Sequence, residues 1–155
     1  MKNDWKKDRI GSAVRGENPM VLSRMRGGFA VIGDTQFLPG YCLLLPLRQA
    51  ADLNDLEVRE RSNYLLDMSL LGEAIQSVCS CSRINYSIYG NSDPFLHAHV
   101  FPRYEREPEE RRPMPVWQYP RTMWTDDQYQ YSDEKHGEIR KQMTEELQRI
   151  MKAVY

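Results

Sequence analysis

Long apolar runs are missing from this chain. The longest, residues 41–45, is far too short to cross a membrane. The opening residues, Met1-Lys2-Asn3-Asp4-Trp5-Lys6-Lys7-Asp8-Arg9, hold no apolar centre of the kind a secretory leader needs. Cysteine is scarce, with Cys42, Cys79 and Cys81 only. The odd count leaves one unpaired, Cys79 and Cys81 are too close in sequence for an easy disulfide, and no zinc-knuckle spacing is present. Cys42 lies within the apolar run and reads as a small hydrophobe. These absences point to the cytoplasm and to no membrane partner. A formal net charge of -1 gives no overall field for nucleic acid, so no nucleic-acid partner is expected. Internal repeats and low-complexity stretches are also lacking.

What is present fits one domain with a real core, since 155 residues are enough for one and too few for two comfortable ones. Residues 3–15 carry Trp5, Ile10, Ala13 and Val14 among charges and predict a short amphipathic helix. Strands are expected near 20–22, over 29–32 and over 41–45, the last two as an antiparallel pair joined through Gly33-Asp34-Thr35-Gln36. A helix is expected over 56–78, capped by Asp52 or Asn54. Tyr64, Met68, Leu71, Ile75 and Val78 form its apolar face, and Leu65, Leu66 and Leu70 predict cover on a second side. Residues 83–89 alternate as a strand. The fold class is therefore α+β: an antiparallel sheet with a long helix packed on it. The core is expected over about 20–104. Over 105–131 a charge run and Pro113, Pro115 and Pro120 predict a segment that wraps the surface, with Trp117, Tyr119 and Trp124 as anchors. A C-terminal helix from Ser132 or Asp133 places Ile139, Met143, Leu147, Ile150 and Val154 on one face, against its own chain or a partner's. His136 at its polar start reads as a surface residue.

Histidine is the third scarcity. Two of the three lie one residue apart, in Asn91-Ser92-Asp93-Pro94-Phe95-Leu96-His97-Ala98-His99-Val100-Phe101-Pro102-Arg103-Tyr104. As a strand this stretch puts Phe95, His97, His99 and Phe101 on one face and Leu96, Ala98 and Val100 on the other, which suits burial. The imidazoles then project together, roughly 6–7 Å apart along the chain. Both can touch one phosphate-sized group, and imidazole serves as nucleophile, acid or base near neutrality. Two structural histidines on a half-buried strand would give the same pattern. A metal site would need a third ligand from His136, a cysteine or a carboxylate, and none stands at a zinc spacing.

The stretch resembles the active-site strand of the histidine triad (HIT) superfamily of nucleotide hydrolases and transferases, whose signature is His-φ-His-φ-His-φ-φ. Gly90-Asn91, Pro94, Leu96-His97-Ala98-His99 and Pro102-Arg103-Tyr104 carry the match, with Phe95 in place of the first histidine. Upstream, Gly28-Phe29-Ala30-Val31-Ile32-Gly33-Asp34 and Leu38-Pro39-Gly40-Tyr41-Cys42-Leu43-Leu44-Leu45-Pro46 resemble the family's nucleoside-binding strand pair. The resemblance implies a HIT-like fold, with the C-terminal helix as an extension, and a homodimer. It implies a nucleotide substrate, no cofactor and no metal, and covalent nucleotidyl transfer with His97 as nucleophile and His99 as a hydrogen-bond donor to phosphate. Asn91, and backbone N–H groups of residues 91–95, are further donors. Asp34 is the expected ribose acceptor, although family spacing from Pro39 puts that position at Gly33. Phe29 and Ile32 are candidates to sandwich a base, and Phe95 and Arg103 are candidates to meet substrate. Phe95 cannot orient His97 as a histidine would, so His97 needs another acceptor, such as a main-chain carbonyl. Trp117 either reaches over the site or packs ordinarily. The leading activity implied is hydrolysis of a dinucleoside polyphosphate, with phosphoramidate hydrolysis or nucleotidyl transfer as the second; Phe95 motivates a rival, nucleotide binding without turnover.

Overall fold

The computed structural model describes residues 4–155. Residues 1–3, where the N-terminal helix and leader readings begin, lie outside them. Five strands, β1 (Val21–Arg24), β2 (Gly28–Ile32), β3 (Cys42–Pro46), β4 (Arg83–Ile88) and β5 (Ala98–Arg103), form one antiparallel sheet in the order β1-β2-β3-β5-β4. Among the described residues, four α-helices accompany it: α1 (Arg9–Val14), α2 (Val58–Cys79), α3 (Thr122–Thr125) and α4 (Asp133–Val154). The α+β class and the strand pair are as the sequence predicts.

Register sorts the two sheet faces. Ala30, Leu44 and Ala98 are neighbours across β2, β3 and β5, as are Ile32, Cys42 and Val100. This apolar face packs with Leu71, Ala74 and Ile75 of α2, all fully buried. Burial of a side chain such as Leu71 or Ile75 contributes about 1.5–3 kcal/mol. Tyr64 pins helix to sheet by donating its hydroxyl to the Leu44 carbonyl at 2.6 Å. On the opposite face the row reads Val31, Leu43, His99 and Ser87. The histidine face therefore looks away from α2.

The cap of α2 differs from expectation. Asp52 caps a separate 3-10 turn, Leu53–Asp55. Buried Leu56 is extended, with φ -80° and ψ 139°, and the helix restarts behind Glu57, which forms a capping box with Glu60. The second cover on α2 comes from α4, whose Met143, Leu147 and Ile150 join the same core. It does not reach Leu65 and Leu66, which stay exposed. Ser132 caps α4 by accepting from the Lys135 N–H.

Residues 105–131 add two 3-10 turns and α3, with Trp117 standing against His99 and Tyr119 packed beside Tyr41 and Phe101. The charge run is not wholly solvated. Arg103 and Glu107 form an ion pair at 3.0 Å with side chains only 7% and 3% exposed. Val116 and Tyr119 of the wrap join Leu38, Tyr41, Phe101 and Tyr104 in a second apolar cluster.

Candidate functional site

Gly90, at φ +80°, reverses the chain after β4. Leu96 ties the returning strand down by donating its N–H to the Ala50 carbonyl at 2.8 Å. His97 and His99 then stand on one face with ring centroids 4.8 Å apart and planes 73° apart. That is closer than the backbone repeat suggests, because the rings lean together.

The hydrogen bonds of the two rings fix opposite tautomers. His97 Nδ1 lies 2.7 Å from the Phe95 carbonyl oxygen. A carbonyl only accepts, so Nδ1 carries the proton and Nε2 keeps its lone pair. The acceptor that Phe95 cannot supply with its side chain is supplied by its own main chain. His99 Nδ1 lies 2.7 Å from the Tyr41 hydroxyl. Burial pushes the Tyr41 phenol well up, so it stays protonated. Its hydroxyl has no other acceptor among the described residues, so it donates to Nδ1 and leaves the His99 proton on Nε2. One ring thus presents a nucleophilic lone pair and its neighbour a donor. Burial, helped by the nearby His97, pushes His99 down to about 3, so this donor is neutral at physiological pH.

Two cavities flank the pair. The smaller, of about 210 Å³, has an apolar wall of Val31, Leu43 and Leu45, with Arg9, Asp34 and Trp124 at its rim. The larger, of about 500 Å³, runs along Tyr89, Asn91, Asp93 and Trp117. Both histidines line both cavities.

The predicted site residues divide accordingly. His97, His99, Asn91, Asp34 and Phe95 come together around these cavities. Gly33 has no side chain to accept a ribose hydroxyl, its N–H donates to the Tyr41 carbonyl and its carbonyl accepts from Gln36 Nε2. Phe29 and Ile32 do not form a sandwich. They lie on opposite faces of β2, with Ile32 in the core under α2 and Phe29 buried beside Leu45 on the site face. The apolar wall is Val31, Leu43 and Leu45 instead. Arg103, a candidate to meet substrate, lines neither histidine cavity. Its guanidinium is consumed by Glu107, Asn85 and the carbonyls of Met114 and Arg111. The Phe95 N–H is likewise taken, by the Asp93 carbonyl. Trp117 does reach the site, standing edge to face on His99 at 4.8 Å and stacked on Trp124 at 4.9 Å. Among the described residues, no group of three or more His, Cys, Asp or Glu is placed to hold a metal ion.

Sequence reasoning missed Tyr41, Arg9, Asp93 and Trp124. Tyr41 shares strand parity with Leu43 and Leu45, but only the β3–β5 register brings it beside His99. Phenylalanine at Tyr41 is expected to leave His99 Nδ1 buried without a partner. The expected cost is about 1–3 kcal/mol of stability and, through loss of the fixed tautomer, about 10- to 100-fold in turnover. Urea unfolding and single-turnover kinetics check the two parts.

His99 also sets a pH dependence. Its native value lies below the unfolded one, so the unfolded chain binds the extra proton between about pH 6.5 and 3. Its contribution is complete above pH 6.5 and is lost as pH falls through that window, by at most about 1.4 kcal/mol per unit. Urea unfolding from pH 7.5 to 5 is expected to show this slope, and His99→Gln to flatten it.

Comparisons with known proteins agree with the fold. A histidine triad protein from Marinobacter aquaeolei aligns with a TM-score of 0.69 at 21% identity, over 84% of this chain and 89% of that one. A diadenosine triphosphate hydrolase from Plasmodium falciparum aligns with a TM-score of 0.54 at 17% identity, over 87% and 76%. In sequence, bis(5'-adenosyl)-triphosphatase from Saccharomyces cerevisiae is 31% identical over 91 residues, 55% of this chain and 44% of that protein. The chain thus spans under half the length of the curated relatives it matches. The family described as HIT domain matches residues 26–106, which is 81 of the 155 residues and includes β2 to β5 and both site histidines, and the chain belongs to that family.

Proposed function

We propose that this protein is a nucleotide hydrolase that cleaves a phosphoanhydride at the α-phosphate of a dinucleoside polyphosphate through a nucleotidyl-His97 intermediate. The observation that carries this reading is the His97 ring, aimed by the Phe95 carbonyl so that Nε2 faces open cavity beside a neutral donor. The names of the yeast and Plasmodium relatives support the substrate class.

In the first step His97 Nε2 attacks the α-phosphorus. An N–P bond forms, the P–O bond to the leaving phosphate breaks, and the leaving oxygen departs with the bonding pair. The positive charge that arises on the ring is met by the Phe95 carbonyl at Nδ1–H. The His99 Nε2–H and the Asn91 amide donate to phosphate oxygens. In the second step water attacks phosphorus and gives up a proton to solvent, the N–P bond breaks with its pair returning to Nε2, and a nucleoside monophosphate leaves with neutral imidazole restored. Asp34 accepts from ribose hydroxyls, and the Val31, Leu43 and Leu45 wall receives the base.

Acid-free quenching of a reaction with α-labelled diadenosine triphosphate tests this directly. One label per chain, located on His97 and discharged by water, is the expected result. Release of an amine from a nucleoside phosphoramidate but no phosphoanhydride cleavage would move the substrate class. Stoichiometric binding without release would make the protein a nucleotide-binding regulator, the reading that Phe95 motivates. We further propose a cytoplasmic homodimer in which the whole chain acts as one domain. Edge strand β4, with Tyr86 exposed, and the neighbouring α2 residues Leu65 and Leu66 form the contact face.

A further inference from the structure

Arg9 lies outside the matched segment, yet its guanidinium forms part of the smaller cavity. Its Nη1 and Nη2 donate to the two Asp34 carboxylate oxygens at 3.2 and 2.7 Å. The Trp5 ring backs the guanidinium, with its centroid 5.1 Å from Cζ. The Arg9 carbonyl is gripped by Ser12 Oγ at 3.1 Å and Asn18 Nδ2 at 3.2 Å. The residue is thus braced on three sides. It is not buried: the two side chains are 28% and 37% exposed, at the cavity rim.

Charge makes this placement informative. Among the described residues, Arg9 is the one Lys or Arg lining either histidine cavity, against Asp34 and Asp93. The neutral His99 adds nothing, and Arg103 is spent inside the fold. A nucleotide brings further negative charge to walls that already carry a net formal charge of -1, from one guanidinium and two carboxylates. The end-on fork also covers the edge of Asp34 that a ribose cis-diol would address, because paired N–H donors and a vicinal diol seek the same two oxygens.

We propose that Arg9 is the phosphate-binding cation of this site, sheathed by Asp34 in the free protein. When a nucleotide enters, the ribose diol takes the carboxylate and the guanidinium, still backed by Trp5, turns to the phosphate. The two ends of one ligand exchange partners with one ion pair, so a nucleoside lacking phosphate breaks the pair without replacing it. This inference rests on the nucleotide reading above and adds a residue from α1 to it.

Titration calorimetry with adenosine and AMP, and with guanosine and GMP, tests the assignment without turnover. The wild type is expected to bind the better monophosphate about 10- to 100-fold more tightly than its nucleoside, the range for hydrogen bonds to charged groups. Arg9→Ala is expected to collapse that ratio to within about 3-fold while nucleoside affinity holds or rises, because nothing competes for Asp34. Arg9→Lys keeps part of the ratio, since it keeps charge without the fork. Arg9→Gln, which preserves packing on Trp5, carries the same expectation as alanine if the alanine variant folds poorly. An equal loss for nucleoside and monophosphate would make Arg9 a mere brace for Asp34 and overturn the proposal, as would no change for either. If the wild type binds no monophosphate or nucleoside, the nucleotide reading itself fails. If it binds them and only the ratio is insensitive to Arg9, this assignment alone falls.

Discussion

Alanine at His97 is expected to lower the hydrolysis of a dinucleoside polyphosphate by about 10⁴- to 10⁶-fold, the scale seen when a covalent nucleophile is removed. The reasoning is local. Nε2 of this ring is the only aimed lone pair the two site imidazoles offer, because His99 is held in the other tautomer by Tyr41. His99 therefore cannot take over as nucleophile without breaking its bond to a buried phenol. Substrate binding should change little, since the nucleoside wall and the Asn91 side lie on other residues. Folding should also survive, because the one bond lost is local, from the buried ring to the main-chain carbonyl two residues before it. The check is a pair of measurements: rate of mononucleotide release, and retention of label after quenching. Undiminished hydrolysis in His97→Ala would remove the nucleophile assignment outright.

Methionine at Arg103 is expected to be the most destabilising single change near the site. Burial alone would raise the Glu107 carboxyl, but bonds from Arg103, the Tyr119 hydroxyl and the Tyr104 N–H hold it below its ordinary value. Removing the guanidinium strands this carboxylate and frees the Asn85 side chain and the Met114 and Arg111 carbonyls. Breaking one side of such a buried pair costs about 3–5 kcal/mol, which for a chain of this size is roughly 10 °C in Tm. The same clamp fixes residues 104–119, and with them the Trp117 edge against His99. A fall in kcat/KM should therefore accompany the thermal loss. Arg103→Met combined with Glu107→Gln should recover part of the stability, since no charge is then left alone. Calorimetric melting of the wild type and both variants checks the order.

Much of this arrangement was legible beforehand, for physical reasons that can be named. Alternation over residues 95–101 set the parity of His97 and His99, and parity alone decides which side of a sheet a ring faces. The need for a substitute acceptor at His97 followed from the chemistry of phenylalanine. Other features depended on register or on distant segments. Ile32 looked equivalent to Phe29 because both are apolar residues of one short strand, but three positions of separation put them on opposite faces. Arg103 looked like a phosphate ligand because nothing in the charge run 105–112 distinguishes Glu107 from its solvated neighbours. Only the folded wrap shows that this one carboxylate is buried. Tyr41 and Arg9 were hidden by sequence distance, 58 and 25 residues from the side chains they engage.

The bond from the His97 ring to residue 95 has an evolutionary corollary. Because the receiving atom belongs to the polypeptide backbone, no codon change at position 95 deletes it while the turn persists. Selection is then free to use that side chain for another purpose. Phenylalanine spends it as wall, with its ring centroid 4.7 Å from His97 and its edge in the smaller cavity. Restoring histidine there should add little to turnover and should instead alter which bases the neighbouring chamber tolerates.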